Sequence, residues 1–232
     1  MGTGELMSQV ASDEENEAGA SARRPIAAAF EVALMFAGIL AYIWRLQHPY
    51  PHIWIALLAL ILMSHVLRRD TVRGLGLGRT DIGASAMRVL PLAILLCLPM
   101  LYYGFTRKHL ALLWPTWQSL ILLLGYGSWC VFQQYLTQSY FNNRLMLVIH
   151  NRHLRSTLVG IMFSATHIPN PILMTATLLA GIVFAEIFAR HRNIWPLALA
   201  QAVGGLLLAA VAPDALIHHM RVGPGYLFYG IR

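Results

Sequence analysis

The feature of this sequence that most constrains its fold is a succession of long apolar runs. A hydrocarbon core of about 30 Å needs roughly 20 helical residues to cross it. Only 12% of the residues are charged and 57% are hydrophobic, whereas soluble domains are about 25% charged and roughly 45–50% apolar. The composition excludes an ordinary soluble domain and predicts an all-α, polytopic membrane bundle of about seven spans. We place these spans near 26–46, 51–67, 89–106, 117–138, 156–168, 172–189 and 194–212.

The chain divides into three parts by composition. Residues 1–24 are polar, acidic and rich in small side chains, which is typical of a disordered tail because such a segment buries too little apolar surface to fold. Residues 25–213 form the predicted transmembrane helical domain, and residues 214–232 form a C-terminal tail.

The distribution of arginines predicts an orientation. With the N-terminus in the cytoplasm, seven spans place twelve arginines on the inner side and five basic residues on the outer side, as the positive-inside rule requires. We therefore expect an integral membrane protein, surrounded by lipid, with its N-terminus in the cytoplasm. The arginines are spread along the chain and do not form one basic face, which argues against a nucleic-acid partner.

Two carboxylates lie inside predicted spans, Glu31 and Glu186. Glu31 is near the inner end of the first span, where we expect a structural contact with Arg23 or Arg24. Glu186 lies four residues before Arg190, on the same helical face. It is therefore either half of an intrahelical ion pair or an acid that takes part in catalysis.

Most of the ten histidines lie in loops or near span ends, and no HExxH motif is present. Since a zinc site needs three or four converging ligands, we predict no metal and no cofactor. His167 differs because it closes the short fifth span, which Pro169 and Pro171 interrupt. Non-helical backbone at this depth is tolerated only where protein or water covers it. His167 is either a helix-packing residue or part of a site.

Four glutamines also lie at membrane depth. Gln133, Gln134 and Gln138 occupy the last two turns of the fourth span, and Gln201 is in the seventh. A helical rise of about 1.5 Å per residue places them between the inner face and the middle of the membrane. They either line a polar pocket or join helices by hydrogen bonds.

The segment WCVFQQYLTQSYFNNRL resembles the first motif region of the CAAX-protease and bacteriocin-processing (CPBP, or Abi) family of membrane proteases. In that family the pattern reads EExxxR, followed by a helix that ends in RL. FSATH, ending at His167, matches the family's FxxxH, and the stretch that follows is similar to the one leading to its HxxxN motif. The resemblance covers roughly residues 115–212. It implies a CPBP-like helical fold and a CAAX-type intramembrane endopeptidase site, in which the first glutamate activates water and the histidines and asparagine assist.

Most of the matched motif positions are substituted. Gln133 and Gln134 stand where the family has its glutamates, Gln138 replaces the arginine, Gln201 the last histidine and Gly205 the asparagine. An amide cannot accept a proton as a carboxylate does, and general-base assistance is worth about 10²–10⁴ in rate. The sequence therefore predicts a neutral polar pocket with little or no hydrolytic activity.

Three functions remain open at this point. The first is a weakly active or non-catalytic CPBP-like protein whose pocket binds a peptide, a lipid or a partner helix through Gln133, Gln134, Gln138, His167 and Gln201. The second is an active intramembrane endopeptidase in which His167 works with Glu186. The third is a structural or transport subunit of a membrane complex.

Overall fold

The computed structural model of the protein describes residues 25–107 and 116–228. Every regular element in these two ranges is helical, and neither contains a strand. The all-α prediction is therefore confirmed for this part of the chain. The predicted tail at residues 1–24 lies outside the described residues.

Within the described residues, seven longer helices overlap the predicted spans, but the third begins at Ile82, earlier than predicted, and the fifth ends at Ala165, before His167. The fourth is an α-helix that continues without a break through a π-helical segment into a last α-helical turn. Short helices then follow in the C-terminal tail. The longer helices are α1 (Pro25–Leu46), α2 (Ile53–Leu67), α3 (Ile82–Arg107), α4 (Trp117–Gln134, then Tyr135–Asn142 and Asn143–Met146), α5 (Arg152–Ala165), α6 (Pro171–Arg190) and α7 (Trp195–Val211).

Within the described residues, three helices are both long and apolar enough to cross a membrane. These are α1, α3 and α6, with mean hydropathies of 2.1, 1.9 and 2.1. The helices α2 and α7 are apolar but shorter. The chain is thus an integral membrane protein, while three spans, and not seven, meet both criteria.

The interruption that the sequence predicts after His167 is the turn that leads into α6. Asn170 caps this helix by accepting a hydrogen bond from the Leu173 amide at 3.2 Å, and Pro171 occupies the first turn, where its missing N–H costs nothing. Asn170 also donates to the Ile217 carbonyl at 2.8 Å. The same turn therefore holds part of the C-terminal tail against the helical domain.

The helices α5 and α6 form a tight hairpin, in which two glycines bring the backbones together. A Cβ atom on Gly181 would lie 2.8 Å from the Cα atom of Gly160. A Cβ atom on Gly160 would lie 2.5 Å from a side-chain carbon of Ile182. Small residues at a membrane helix interface allow this close approach, and the hairpin fixes the positions of His167 and Glu186.

Candidate functional site

Three of the predicted glutamines meet where α4 packs against α7. Gln134 Nε2 donates to Gln201 Oε1 at 2.6 Å, and Gln201 Nε2 donates to Gln133 Oε1 at 2.5 Å. Gln134 is fully buried. These residues, hereafter the glutamine triad, form a chain of neutral hydrogen bonds between the two helices.

Gly205 lies one turn beyond Gln201 on α7 and faces a tyrosine of α4. A Cβ atom on Gly205 would lie 2.0 Å from the hydroxyl oxygen of Tyr126. Tyr126 precedes Gln133 by seven residues, about two helical turns, so both lie on the side of α4 that faces α7. Tyr126 thus fills the space that a larger side chain at position 205 would need.

Gln138 is linked through Asn142 to a buried arginine of α5. Arg155 Nε donates to Asn142 Oδ1 at 3.0 Å, and Asn142 Nδ2 donates to Gln138 Oε1, also at 3.0 Å. Because a guanidinium group only donates, this chain fixes the orientation of both amides. Gln138 Nε2 is left buried and without a partner among the described residues. A positive charge, 6% exposed, thus lies two hydrogen bonds from the position where the family pattern has its arginine.

His167 lies outside the glutamine triad. Its Nδ1 atom is 2.8 Å from the Phe163 carbonyl oxygen and 3.1 Å from Thr166 Oγ1. Since a carbonyl oxygen only accepts, Nδ1 carries the proton and Nε2 is the acceptor of the neutral ring. No hydrogen bond described for His167 reaches Gln133, Gln134 or Gln201.

The depths of His167 and the triad are nevertheless similar. Arg155 and Asn142 are in direct contact and provide a common level for α4 and α5. From that level, eight residues of α4 lead to Gln134, or about 12 Å, and twelve residues of α5 and its following turn lead to His167, or about 18 Å. His167 therefore lies roughly one helical turn beyond the triad in depth.

Glu186 does not reach His167. Its carboxylate oxygens lie 2.9 Å from Arg152 Nε and 2.9 Å from His153 Nδ1, both at the beginning of α5. His167 follows the end of that helix, fourteen residues after His153, or about 21 Å away. The pairing of His167 with Glu186 is therefore not formed. The alternative ion pair is corrected too, since the partners of Glu186 are Arg152 and His153 and not Arg190.

A buried polar cluster centred on Arg144 was not predicted. Arg144, which is 2% exposed, donates through Nε to Glu31 at 3.0 Å and through Nη2 to Asp70 at 2.7 Å. Arg68 also pairs with Glu31, at 2.7 Å. Glu31 has the expected structural role, with Arg68 and Arg144 as partners. Arg23 and Arg24, the partners predicted from the sequence, lie outside the described residues. The sequence did contain one signal for this cluster. Arg144 follows an apolar run, and it has no carboxylate close to it in sequence to pair with.

Asp70, in the loop that follows α2, is held in its ionised form. Burial by itself would raise its pKa, but hydrogen bonds from Arg144 and His65 outweigh burial and hold the pKa of Asp70 below its usual range. Two carboxylates, Glu31 and Asp70, therefore balance two guanidinium groups, Arg68 and Arg144. The cluster joins α1, α2 and the loop to the end of α4.

In the described ranges, no three histidine, cysteine, aspartate or glutamate side chains come together as a metal centre would require. The structure therefore adds no candidate metal centre to the hydrogen-bonded amides described above.

Residues 113–207 match the family model described as type II CAAX prenyl endopeptidase Rce1-like. This segment is similar to the Rce1-like family. The resemblance to the CPBP family is thereby confirmed over α4, α5, α6 and most of α7. The Rce1-like segment includes every substituted motif position together with His167, and it spans fewer than half of the 232 residues. No curated protein and no solved structure matches the chain.

Proposed function

We propose that this protein is a CPBP-family membrane protein that binds a peptide segment within the membrane and hydrolyses it weakly or not at all. The observation that carries this proposal is the glutamine triad. Gln133, Gln134 and Gln201 bond to one another at three positions where the family has two glutamates and a histidine.

The chemistry of this cluster argues against hydrolysis. An amide provides no general base, and the loss of one costs about 10²–10⁴ in rate. The carboxylate of Glu186 is paired at the other end of the hairpin and does not replace the missing general base. His167 Nε2 retains a lone pair, but no carboxylate among its described contacts assists it.

Unsatisfied polar atoms support a peptide as the ligand. Gln134 Oε1 and Gln138 Nε2 are buried without a partner among the described residues. One is an acceptor and the other a donor, and a peptide group offers both complements. Each unpaired buried group costs about 1–3 kcal/mol, so an incoming backbone that satisfies them is stabilised.

Gln134 and Gln138 are both 0% exposed, so access to these atoms requires the surrounding helices to open locally, with α4 separating from α7 at the triad. Hydrogen bonds between membrane helices are worth about 0.6 kcal/mol on average, up to about 1.7 kcal/mol. The triad is thus weak enough to open when a ligand replaces its bonds. In this proposal the glutamine triad keeps the binding position closed until a ligand replaces its hydrogen bonds.

We also propose the topology that completes this assignment. Seven spans with the N-terminus in the cytoplasm place the Arg144 cluster and the Arg152–Glu186 pair toward the inner face of a bacterial membrane. The tail that Asn170 holds would then face the outer side. Cysteine labelling of residues near 48 and 150 from each side of the membrane tests this orientation.

The test uses the full chain in nanodiscs with a fluorescent prenylated CAAX peptide. We expect saturable binding by anisotropy, no cleavage by mass spectrometry, and at least tenfold weaker binding of the Gln138→Leu variant. Gln118→Leu is the matched control, because Gln118 is an exposed glutamine of the same helix. Gln118→Leu should bind like the unmodified protein.

Two results would overturn the proposal. Cleavage that His167→Ala abolishes would show a working protease. The absence of binding, together with a stoichiometric protein that co-purifies with the chain, would favour a subunit of a membrane complex.

A further inference from the structure

A groove between α1 and α2 lies apart from the glutamine triad. Its volume is about 600 Å³, within the range of roughly 300–1,000 Å³ that is typical of sites for small molecules. Apart from Tyr140, the lining residues precede the Rce1-like segment. The apolar lining residues include Leu34, Met35, Leu57, Leu60 and Met63.

The groove is apolar along its length and polar at one end. A Cβ atom on Gly38 would lie 3.2 Å from a methyl carbon of Leu57, so these residues close the apolar end. Glu31, Ser64 and Arg68 line the other end. The groove extends seven residues along α1 and eleven along α2, or about 10 Å and about 16 Å.

The polar end has donors to spare for an anion. Arg68 donates to Glu31 through Nε at 3.1 Å and through Nη2 at 2.7 Å, which leaves the two N–H groups of Nη1 outside these bonds. The Arg68 side chain is 25% exposed. Arg68 and Arg144 both pair with Glu31, which reduces the repulsion between its carboxylate and an anion at Arg68.

We infer that this groove binds an anionic phospholipid, with one acyl chain along the apolar walls and the phosphate at Arg68. An acyl chain with its headgroup at one end matches a groove that is polar at one end only. A peptide would bring backbone groups along its whole length, and the apolar walls offer them no partners, which is costly at membrane depth. Guanidinium groups recognise phosphate through paired N–H donors.

The experiment measures lipid retained by the full-length protein after purification in detergent and re-addition of phosphatidylglycerol or phosphatidylcholine. Native mass spectrometry counts the bound lipids. Leu60→Trp fills the groove from its open wall. Leu62→Trp is its matched control, since Leu62 is similarly exposed on α2 and does not line the groove. Arg68→Gln tests the phosphate contact, with the exposed neighbour Arg69→Gln as its control.

We expect one phosphatidylglycerol per chain, at least tenfold preference over phosphatidylcholine, and at least tenfold weaker retention in Leu60→Trp and Arg68→Gln. Both controls should retain lipid as the unmodified protein does. Equal retention by Leu60→Trp and Leu62→Trp would overturn the inference, because the lipid would then bind elsewhere. Equal retention of the two lipids would overturn the preference for an anionic headgroup, and equal retention by Arg68→Gln and Arg69→Gln would overturn the assigned phosphate contact. If the unmodified protein is dimeric and Leu60→Trp is monomeric while Leu62→Trp is not, the occupant is a second copy of the chain and the inference is wrong.

Discussion

Gly205 of α7 lies directly beneath the phenol of Tyr126 on α4, so that a Cβ atom would stand 2.0 Å from the hydroxyl oxygen and 3.0 Å from the ring carbon that bears it. Real Cβ atoms do not approach other atoms so closely. The position where the family pattern has asparagine is therefore closed to any side chain while Tyr126 keeps its place. The glycine at position 205 thus admits the Tyr126 side chain from the other helix.

Gly205→Ala should destabilise the protein, because the added methyl group forces Tyr126 or α7 to move. Overpacking of this kind costs about 1–3 kcal/mol, and we expect thermal unfolding in detergent to show it. Gly204→Ala is the matched control, since a Cβ atom there meets nothing within 4 Å. In a protein that already carries Tyr126→Ala, Gly205→Ala should destabilise much less, because the phenol that the added methyl group would meet is absent. Equal effects of the Gly204 and Gly205 substitutions would contradict this packing.

Gln201→Leu should lower the free energy of unfolding by about 1–3 kcal/mol, as it removes two interhelical hydrogen bonds worth about 0.6–1.7 kcal/mol each. It also leaves amides of Gln133 and Gln134 unpaired. Replacing all three residues by leucine should cost less than Gln201→Leu alone, because no amide then remains unsatisfied. Thermal unfolding of both variants checks this order. Additive losses would mean that the three amides do not act as a unit.

The meeting of α4 and α7 could be anticipated from the sequence because helical rise gives depth directly. Gln133 and Gln201 were expected at similar depths, and they are hydrogen-bonded. Rotation about the helix axis and lateral position are not contained in that calculation. His167 has a similar depth but makes its ring contacts with Phe163 and Thr166 and none with the triad among the hydrogen bonds described.

Ion pairs between distant segments could not be predicted. The sequence predicted an ion pair between Glu186 and Arg190 because they are four residues apart, whereas in the structure Glu186 pairs with Arg152. Arg144 and Glu31 are 113 residues apart, and only the packing of α1 against the end of α4 brings them together. Spacing in the sequence identifies ion-pair partners only within one helix. Tertiary packing determines which residue from another segment forms the pair.

Stability should fall in acid through Asp70. Since its pKa is lowered in the folded protein from about 3.9 in the unfolded chain, its contribution is fully present above pH of about 4 and is lost as pH falls through the folded value. Thermal unfolding between pH 7 and pH 3 should show this loss. Asp70→Asn should flatten the acid limb, and Asp81→Asn, an exposed aspartate of the same loop, should not. The same acid limb in all three proteins would remove Asp70 as its source.

Gln138→Arg, which restores the residue of the family pattern, should destabilise the protein because Arg155 already supplies the positive charge through Asn142. A second buried guanidinium without a carboxylate partner is expected to cost several kcal/mol. Gln138→Met controls for side-chain size without adding charge. The double substitution Gln138→Arg with Arg155→Gln should recover much of the loss, since the Asn142 amide then turns over and relays the same bonds in reverse. Unfolding temperatures of the four proteins decide the matter, and a double variant no more stable than Gln138→Arg would show that the charge cannot move along this chain.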